Sequence, residues 1–444
     1  MSAACVPSSV VASFGRPRVI VQLRVAGTSP VASRASAGLY VAGGPSTIRL
    51  RRRCGIGMRI LHIINQLSGR AGAEVSLQEI LLGLDRDGRF ELGLAVLKPS
   101  TSKFEPLAGT GVAVYSPSQD LGIAPAAAYL RRVIAEFRPD LVHTTLAEAD
   151  TAGRIAAILS RTPAMVSLVS TPYVGDARVG RQVSARKLHA FRFVDRLLSR
   201  YATVRFHAIT QAAADHAVEE LRLAPSDVTV VPRGRDRARL GFPSPERRRA
   251  VRRALGVDPT APLLLNVGRQ EPAKGQVYAI DAMPAVWLAH PTATLLVAGR
   301  EGSSTLALQD AVDRIGRTDR IRFLGLRQDI GDLLSAADLF VFPSLYEGLG
   351  GAVLEAMAMG VPVVAARAPA IVEVLAGGSC GHLVDVADAP ALASAIMDVI
   401  ADEPRRRQYA QRALQRFDDC YTLERCVDGM IKMYADVAAQ IGTA

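Results

Sequence analysis

The chain has 444 residues, a net charge of +11 and 49% hydrophobic residues. This length suffices for two or three domains with cores of their own, and the apolar content excludes a disordered chain. No run of about 18 apolar residues is present, which argues against a membrane-spanning helix. Arginine supplies 48 of the 53 basic residues, and RNA-binding or zinc-finger motifs are missing, so the charge does not indicate a nucleic-acid partner. Five scattered cysteines without metal spacing predict reduced thiols and a cytoplasmic location.

The first 57 residues differ in composition from the rest of the chain. They contain eight arginines and no acidic residue, and without them the net charge falls from +11 to +3. The apolar core of a secretory signal is missing, which leaves an organelle transit peptide or a start assigned too far upstream of Met58. We favour the second explanation, because a regular strand pattern begins directly after Met58. Residues 1–57 are therefore expected to be a disordered or non-native extension.

From Met58 onward, short apolar strands alternate with amphipathic helices. The strands predicted in the first half are Arg59–Ile64, Leu92–Leu97, Gly111–Tyr115, Leu141–His143, Met165–Val169, Val204–Ile209 and Val228–Val231. The helices predicted between them include Ala73–Leu84, Pro125–Phe137 and Ala149–Leu159. Strand–helix alternation without hairpin turns predicts a parallel sheet with helices on both faces.

A proline-rich stretch, 235–262, interrupts this alternation around a basic helix, Glu246–Leu255, and is the expected interdomain connection. A second series of strands follows at Leu263–Val267, Ala293–Ala298, Ile321–Leu324, Leu339–Phe342 and Val361–Ala365. We therefore predict an α/β protein of two doubly wound, Rossmann-like domains, with a ligand cleft between the carboxyl ends of their strands. The expected domains are 58–240 and 241–420, followed by a C-terminal helix within 421–444.

The most specific motif runs from Pro343 to Val364. Three glycines form a loop whose backbone can approach a ligand closely: Gly348, Gly350 and Gly351. The helix predicted next, Ala352–Met359, has free N–H groups that can hold a phosphate. Glu347 precedes this helix and Glu355 lies within it, and eight helical residues span about 12 Å. Two carboxylates at that separation suit the opposite ends of a sugar nucleotide.

Two further signals concern phosphate binding. Arg269 and Lys274 follow the strand Leu263–Val267. An arginine fork and a lysine point charge five residues apart can neutralise a diphosphate without a metal ion. A glycine loop from Gly69 to Gly72 follows the first strand and suits a phosphate or a sugar, although it lacks the G-x-G-x-x-G pattern of dinucleotide-binding domains. This difference argues against a nicotinamide-dependent dehydrogenase.

From Met58 to the C-terminus, the chain resembles family 4 of the glycosyltransferases, which are retaining enzymes with the two-domain GT-B fold. The most specific match is the E-x7-E segment from Glu347 to Glu355, followed by Gly360-Val361-Pro362. The supporting matches are Gly72-Ala73-Glu74, Pro139-Asp140-Leu141-Val142-His143, Val231-Pro232-Arg233-Gly234, Val267-Gly268-Arg269, Lys274-Gly275 and Asp338-Leu339-Phe340-Val341-Phe342-Pro343-Ser344.

The resemblance implies transfer of a sugar from a nucleoside-diphosphate sugar to an acceptor, with retention at the anomeric carbon and without a metal or other cofactor. Arg269 and Lys274 would bind the donor diphosphate, Glu347 would contact the transferred sugar, and Glu355 would bind the ribose hydroxyls. The backbone of three loop residues would complete the phosphate site: Leu349, Gly350 and Gly351.

The same resemblance implies an acceptor-side domain, 58–240, with a loop at Gly69 and Gly72, and a donor-binding domain, 241–420. It also implies that the helix in 421–444 packs back on the first domain. The expected partners are a nucleotide-sugar donor and a glycan or lipid-linked acceptor, as in glycan or lipopolysaccharide biosynthesis.

Two positions depart from the family pattern. Many members carry a second histidine two positions after His143, where this chain has Thr145. His143 is therefore either a catalytic residue or a core residue at the end of a strand. The usual Pro-Asn-Gly before the interdomain connection is Pro232-Arg233-Gly234 here, which changes a side chain at the edge of the cleft.

Two alternative functions stay open: a sugar-nucleotide epimerase of the same fold, and a catalytically inactive donor-binding protein. The basic amphipathic segment 181–205 also has two interpretations. It is either a solvated helix with a core stripe or a contact with anionic lipid near a lipid-linked acceptor. The second interpretation would place the protein at the inner face of the membrane.

Overall fold

The computed structural model describes residues 40–41, 57–67, 72–99, 107–170 and 185–442. The expected N-terminal extension, 1–57, lies outside the described residues except for Tyr40–Val41 and Gly57. Gly69 of the predicted first glycine loop also lies outside them, as do residues 181–184 of the basic segment. Among the described residues, helices long and apolar enough to cross a membrane are absent.

The first domain is built on a sheet of eight strands. They are β1 (Tyr40–Val41), β2 (Arg59–Ile64), β3 (Glu91–Val96), β4 (Ala113–Ser116), β5 (Leu141–Thr145), β6 (Ala164–Leu168), β7 (Thr203–Ala208) and β8 (Val228–Val230). The spatial order is β1-β4-β3-β2-β5-β6-β7-β8. Every pairing is parallel except that of β1 with β4. The chain changes its winding direction between β2 and β5, where doubly wound sheets bind ligands.

In the described part of the first domain, five helices cover this sheet: α1 (Gly72–Asp87), α2 (Ile123–Phe137), α3 (Ala147–Ser160), α4 (Ala185–Ala202) and α5 (Gln211–Leu221). Their apolar residues recur every three to four positions, as in the buried Leu130, Val133 and Phe137 of α2. Helix α5 begins after Thr210, whose hydroxyl accepts a hydrogen bond from the Ala213 N–H at 3.2 Å.

The second domain repeats the pattern with a six-stranded parallel sheet. Two linker helices, α6 (Arg237–Leu240) and α7 (Pro245–Ala254), lead into strands β9 (Leu263–Val267), β10 (Thr294–Ala298), β11 (Ile321–Gly325), β12 (Leu339–Phe342), β13 (Val363–Ala366) and β14 (His382–Val384). Their order is β11-β10-β9-β12-β13-β14, with the change of winding between β9 and β12. The predicted architecture of two doubly wound α/β domains is confirmed.

Eight helices complete this second half of the chain. They are α8 (Gln276–Ala289), α9 (Thr305–Ile315), α10 (Ile330–Ala336), α11 (Gly351–Ala358), α12 (Pro369–Val374), α13 (Ala389–Ala401), α14 (Glu403–Cys420) and α15 (Leu423–Ile441). The β13 strand starts two residues later than predicted because Pro362, which has no N–H to donate, contributes only its carbonyl, to Phe340 N at 2.9 Å.

The last helix, α15, is part of the core of the first domain. Its Met430, Tyr434 and Val437 are fully buried and cluster with residues of β2 and α1, such as Ile60 and Leu81. The helix therefore ties the end of the chain to the first sheet through apolar packing. The boundaries at 240 and 420 stay our proposed domain limits.

The interdomain connection passes the start of α15 at very close range. The Arg235 N–H donates to the carbonyl of Tyr421 at 2.9 Å, and the Leu423 N–H donates to the carbonyl of Arg235 at 3.1 Å. A Cβ atom added at Gly234 would lie 2.1 Å from the Thr422 carbonyl oxygen. Only glycine fits at this crossing without a shift of backbone.

We expect Gly234→Ala to lower the free energy of unfolding by about 1–3 kcal/mol, because the added methyl group overpacks a backbone contact. Urea denaturation monitored by circular dichroism measures this change. Gly122→Ala is the matched control, since a Cβ at Gly122 meets no described atom within 4 Å. Equal denaturation midpoints for both variants would contradict the account of this crossing.

Candidate active site

A lysine–glutamate pair lies at the carboxyl edge of the second sheet, beside the change of winding between β9 and β12. Lys274 ends a short 3-10 turn after β9, and Glu347 follows β12. The Lys274 Nζ lies 2.5 Å from Glu347 Oε1, which also accepts a hydrogen bond from the Ser344 hydroxyl at 2.7 Å. Two of the predicted site residues, 73 positions apart, are thus in direct contact.

Gly275 lets the turn that carries Lys274 lie against the end of β12. Its φ angle is +59°, and an added Cβ would lie 2.1 Å from the Pro343 carbonyl oxygen. Next to this turn, the side-chain amide of Gln276 donates to Asn266 Oδ1 and to the Gly268 carbonyl, both at 3.0 Å. This buried amide network holds the turn on the strand ends, so the lysine position is set by backbone packing.

Arg269, the other predicted diphosphate ligand, also follows β9 at the carboxyl edge. Its side chain is 49% exposed, and its nearest carboxylate, Glu271, lies 3.9 Å away. A pair this long and exposed contributes little to stability. The guanidinium is therefore accessible and can donate hydrogen bonds to an anion above the strand ends.

Glu355 of α11 pairs with a residue that the sequence analysis did not select. The Arg235 Nε donates to Glu355 Oε1 at 3.3 Å, and Arg235 Nη1 donates to the Ser76 hydroxyl of α1 at 2.8 Å. Burial raises the pKa of the Glu355 carboxyl, and the Arg235 charge opposes that shift. The second carboxylate oxygen makes no hydrogen bond to the residues the structure describes, which leaves it able to accept one from a ligand.

The predicted glycine loop brings the two domains together. Gly350 has a φ angle of +83° and directly precedes α11, and its carbonyl accepts hydrogen bonds from the Val353 and Leu354 N–H groups at 2.8 and 3.2 Å. The N–H groups of Gly351 and Ala352, ahead of them, have no partner within the helix. The buried Leu349 anchors the loop. At Gly351 an added Cβ would lie 2.2 Å from the Arg235 Nη2 atom, and at Gly348 it would lie 2.1 Å from the Val169 carbonyl oxygen. The loop thus has backbone in contact with the linker and with the first domain.

Two more contacts join the domains beside this loop. The Thr210 hydroxyl donates to the Gly348 carbonyl at 3.0 Å. The N–H groups of Gln211 and Ala212 donate to the Glu373 carboxylate of α12 at 3.0 and 3.1 Å. A carboxylate at the N-terminus of α5 is favoured by the helix dipole. These contacts bring the predicted donor-binding domain next to the predicted acceptor-side domain.

His143, the predicted catalytic histidine, lies inside the first domain. Its Nδ1 lies 2.7 Å from the Tyr434 hydroxyl of α15, and its Nε2 lies 2.8 Å from the Ser167 hydroxyl. The side chain is buried, and both ring nitrogens are occupied by these core groups. This is the core placement that the sequence left open. None of its described hydrogen bonds involves the donor-side residues, and a catalytic role stays a prediction.

His143 belongs to a group of three buried histidines on strands β2, β5 and β7 of the first sheet, with β6 between the last two. His62 lies beside it on β2, and His207 on β7 contacts Ser167 Oγ at 3.2 Å and the Val231 carbonyl at 2.9 Å. Burial lowers the pKa of His62 to about 3 and that of His207 to about 4, and it lowers the pKa of His143 well below its usual value. All three are therefore neutral in the folded protein at neutral pH.

The burial of these neutral histidines predicts that the folded protein loses stability in acid. Unfolded histidines take up a proton near pH 6.5, whereas the folded ones stay neutral, so stability falls as the pH drops from about 6.5 towards 4. We expect urea denaturation to give a lower free energy of unfolding at pH 5.5 than at pH 7.5, with about 1 kcal/mol of the difference due to His62. His62→Gln should remove that part of the pH dependence.

His189→Gln, at an exposed position of α4, is the control and should keep the dependence of the wild type. If His62→Gln and wild type lost the same free energy between the two pH values, the burial of an uncharged His62 would be refuted.

The first glycine loop is described only from Gly72 onward. Gly72 begins α1 and is exposed, and a Cβ added there would meet no described atom within 4 Å. Groups of three or more His, Cys, Asp or Glu side chains that could hold a metal ion are absent from the described part of the chain.

Sequence reasoning missed the residues of the linker that face this region. Arg233 donates to the Ala73 carbonyl at 3.3 Å, Arg235 joins α1 to α11, and Arg239 forms an ion pair with Glu79 of α1. Their partners lie 120 to 160 positions away in the chain. Only the replacement of asparagine by Arg233 in the Pro-x-Gly segment marked one of them in advance.

Comparisons with known proteins show the family and the fold. A family model described as "Glycosyl transferases group 1" matches residues 247–416, and one described as "Glycosyl transferase 4-like domain" matches residues 55–234. The crystal structure of Anabaena Alr3699/HepE in complex with UDP-glucose resembles this chain with a TM-score of 0.72 and 25% identity. That similarity covers 85% of this chain and 100% of the other.

Curated relatives show the same similarity at the level of sequence. Alpha-maltose-1-phosphate synthase of Mycobacterium tuberculosis is 30% identical over 353 residues, which cover 72% of this chain and 87% of that protein. The lipopolysaccharide core biosynthesis mannosyltransferase LpsB of Rhizobium meliloti is 34% identical over 212 residues, which cover 46% of this chain. The chain spans 60% of the length of LpsB, and 51% and 54% of two other curated relatives.

Proposed function

We propose a specific reaction for this chain, which belongs to the group 1 glycosyltransferases, also called family 4. In this reaction a sugar passes from a nucleoside-diphosphate sugar to an acceptor hydroxyl, with retention at the anomeric carbon and without a metal ion. The observation that carries the proposal is the contact of Lys274 with Glu347 beside the change of winding in the second sheet, where doubly wound sheets bind nucleotides.

In the proposed complex, the donor diphosphate lies above the ends of β9 and β12. Lys274 and the exposed Arg269 supply two positive charges, and the loop around Gly350 supplies backbone N–H groups at the start of α11. The leaving diphosphate gains negative charge as the glycosidic bond breaks. Preorganised donors aimed at that charge are a major source of catalysis in such sites.

The two glutamates of the E-x7-E segment then serve different ends of the donor. We propose that Glu347 accepts hydrogen bonds from hydroxyls of the transferred sugar, since Lys274 and Ser344 already hold its carboxylate in place. We propose that Glu355 binds the ribose hydroxyls through its free oxygen, while Arg235 holds the other. A carboxylate is a strong acceptor for a hydroxyl group.

The proposed step breaks the bond between the anomeric carbon and the diphosphate oxygen and forms a bond to the acceptor oxygen on the same face of the sugar. The acceptor hydroxyl loses its proton to the departing diphosphate. This route uses no histidine base and agrees with the burial of His143 in the core. The acceptor then enters from the first domain, on the side of α1.

We propose a uridine nucleotide as the donor, because the similar Anabaena protein is described in complex with UDP-glucose. A thermal-shift series with UDP, GDP and ADP tests this choice. A ligand at a hundred times its Kd stabilises a protein by about 2.7 kcal/mol, so the preferred nucleotide raises the Tm at the lowest concentration. A stronger response to GDP or ADP would contradict the uridine assignment.

Substitution of the site residues tests the reaction itself. We expect Lys274→Met, Arg269→Met and Glu355→Gln each to lower kcat/KM for sugar transfer by about a hundredfold, the typical cost of removing one preorganised group. Steady-state assays that follow UDP release from UDP-glucose, with and without candidate acceptors, measure this loss.

Arg367→Met is the matched control, because Arg367 is an equally exposed arginine of the second domain and lies 3.6 Å from Asp385. Near-normal turnover in all three site variants would refute the site. An epimerised nucleotide sugar formed from the donor alone would favour an epimerase, and UDP binding without turnover across acceptors would favour an inactive binding protein.

We also propose that α4 contacts an anionic membrane surface. Three residues at helical spacing point to solvent: Phe193 is 67% exposed, Leu197 48% and Tyr201 69%. The exposed Arg186 and Arg200 flank this apolar stripe. An apolar stripe bordered by arginines is typical of helices that lie in the membrane interface.

Not every basic residue of the segment is available for such a contact. Arg192 forms an ion pair with the Glu220 carboxylate at 2.9 Å, and Arg196 donates to the Glu220 carbonyl at 2.8 Å. The buried Leu198 packs towards the domain. Helix α4 therefore has one face anchored to the protein and an opposite apolar face that is open to a bilayer.

We expect wild-type protein to co-sediment with phosphatidylglycerol vesicles and to bind phosphatidylcholine vesicles less. The double variant Phe193→Ser/Tyr201→Ser should bind the anionic vesicles at least about a hundredfold more weakly, because each buried aromatic side chain contributes about 1.5–3 kcal/mol. Leu288→Ser on α8, where the leucine is 88% exposed, is the control. Equal binding to both vesicle types would refute the membrane contact.

A further inference from the structure

Arg233 is a buried cation without a counter-charge. The residue is only 4% exposed, and its guanidinium donates one hydrogen bond, from Nη1 to the Ala73 carbonyl at 3.3 Å. Its Nε is buried and has no hydrogen-bond partner among the residues that the structure describes. Within the described ranges, no carboxylate forms an ion pair with it. Folded proteins almost never bury an arginine in this way unless something pairs with it.

The electrostatic surroundings of Arg233 include a second positive charge. Burial lowers its pKa to about 10, an effect that the Cys426 thiol opposes and the like charge of Arg235 strengthens. The group is still charged at neutral pH. Arg235 has Glu355 as its partner, whereas Glu74, in the first turn of α1, accepts a hydrogen bond from the Gln66 amide at 3.2 Å. The nearby carboxylates are thus engaged elsewhere.

The buried guanidinium of Arg233 contacts the first turn of α1. The Ala73 carbonyl that Arg233 contacts lies in the first turn of this 16-residue helix. Gly72 is exposed, and a Cβ added there would meet no described atom within 4 Å. The first N–H groups of a helix lack partners within the helix and carry partial positive charge. A buried cation and a helix N-terminus therefore meet at one point of the first domain.

We propose that Arg233 and the first turn of α1 bind an anionic group of the acceptor, either a phosphate or a carboxylate. The proposal rests on the proposed function, since only a transferase has an acceptor. It narrows the acceptor class to molecules that carry an oxyanion near the hydroxyl that receives the sugar. Arginine suits such a group because its two-pronged N–H geometry matches two oxygens at once.

The position of Arg233 favours the acceptor over the donor diphosphate as the source of this oxyanion. Arg269 and Lys274, the proposed diphosphate ligands, lie at the carboxyl edge of the second sheet. Arg233 follows β8 of the first sheet, donates to α1 and interacts electrostatically with Cys426 of α15. The Arg235–Glu355 pair links α1 to α11.

Phosphate binding to the whole protein tests the proposal. Thermal shifts are measured with increasing inorganic phosphate in the presence of saturating UDP, so that the donor site is already filled. We expect a phosphate-dependent rise in Tm for wild type and for the control Arg367→Asn, and an apparent phosphate affinity at least about tenfold weaker for Arg233→Asn, which installs the residue common in the family. Equal phosphate affinity in wild type and Arg233→Asn would overturn the proposal.

The stability of the variants gives an independent readout. Removal of an uncompensated buried charge should leave the Tm without phosphate unchanged or raise it, whereas a purely structural arginine would lower it. Arg233→Lys keeps the charge without the two-pronged geometry and should bind phosphate with intermediate affinity. It also provides the test if the asparagine variant does not fold, in which case phosphate affinity equal to that of wild type would overturn the proposal.

Measurements of UDP binding distinguish an acceptor anion from the donor diphosphate as the ligand of Arg233. They also distinguish a failure of the anion site from a failure of the proposed transferase function. We expect UDP to bind wild type and Arg233→Asn with the same Kd, because the donor diphosphate lies on other cations. A tenfold weaker UDP affinity in Arg233→Asn would assign the anion to the donor and overturn the acceptor site. If wild type bound phosphate through Arg233 but did not bind UDP at all, the proposed transferase would fail while the anion site stood.

Discussion

The Arg235 guanidinium is the interaction on which the arrangement of this cleft depends. One of its nitrogens donates to Ser76 on the first helix of the first domain, and another donates to Glu355 on the glycine-loop helix of the second domain. Its backbone also pairs with the chain on both sides of Thr422, where the last helix begins. A single linker residue therefore contacts the two domains and the C-terminal helix, and it acts together with the contacts of Thr210 and Glu373 in holding the two predicted binding surfaces next to each other.

Charge in the cleft is distributed unevenly, and this unevenness suits anionic substrates. The Lys274 charge is balanced by Glu347 and the Arg235 charge by Glu355. Arg269 is weakly paired and Arg233 is not paired within the described residues. The three buried histidines of the first sheet are neutral, so they add no charge to the cleft. Two bound anionic groups, one above each sheet, would therefore balance the charges of Arg269 and Arg233.

The regular parts of the fold could be predicted because they depend on local patterns. The bounds of β2, β9 and β12 agree with the sequence prediction, since buried parallel strands appear as short unbroken apolar runs. The E-x7-E segment was recognisable because a strand, a glycine loop and a helix start are adjacent in sequence. His143 shows the limit of such reasoning, because neither of its partners, Ser167 and Tyr434, can be inferred from the neighbouring residues.

By itself, the sequence determined the two α/β domains, the order of their strands and helices along the chain, and the family to which they belong. Apolar periodicity and glycine spacing are local properties, so they need no knowledge of the folded chain. The tertiary structure alone decided that Arg235 pairs with Glu355, that His143 lies in the core, and that Arg233 is buried without an ion-paired carboxylate among the described residues. Each of these facts depends on residues far apart in sequence, and burial and ion pairing exist only after packing has brought them together.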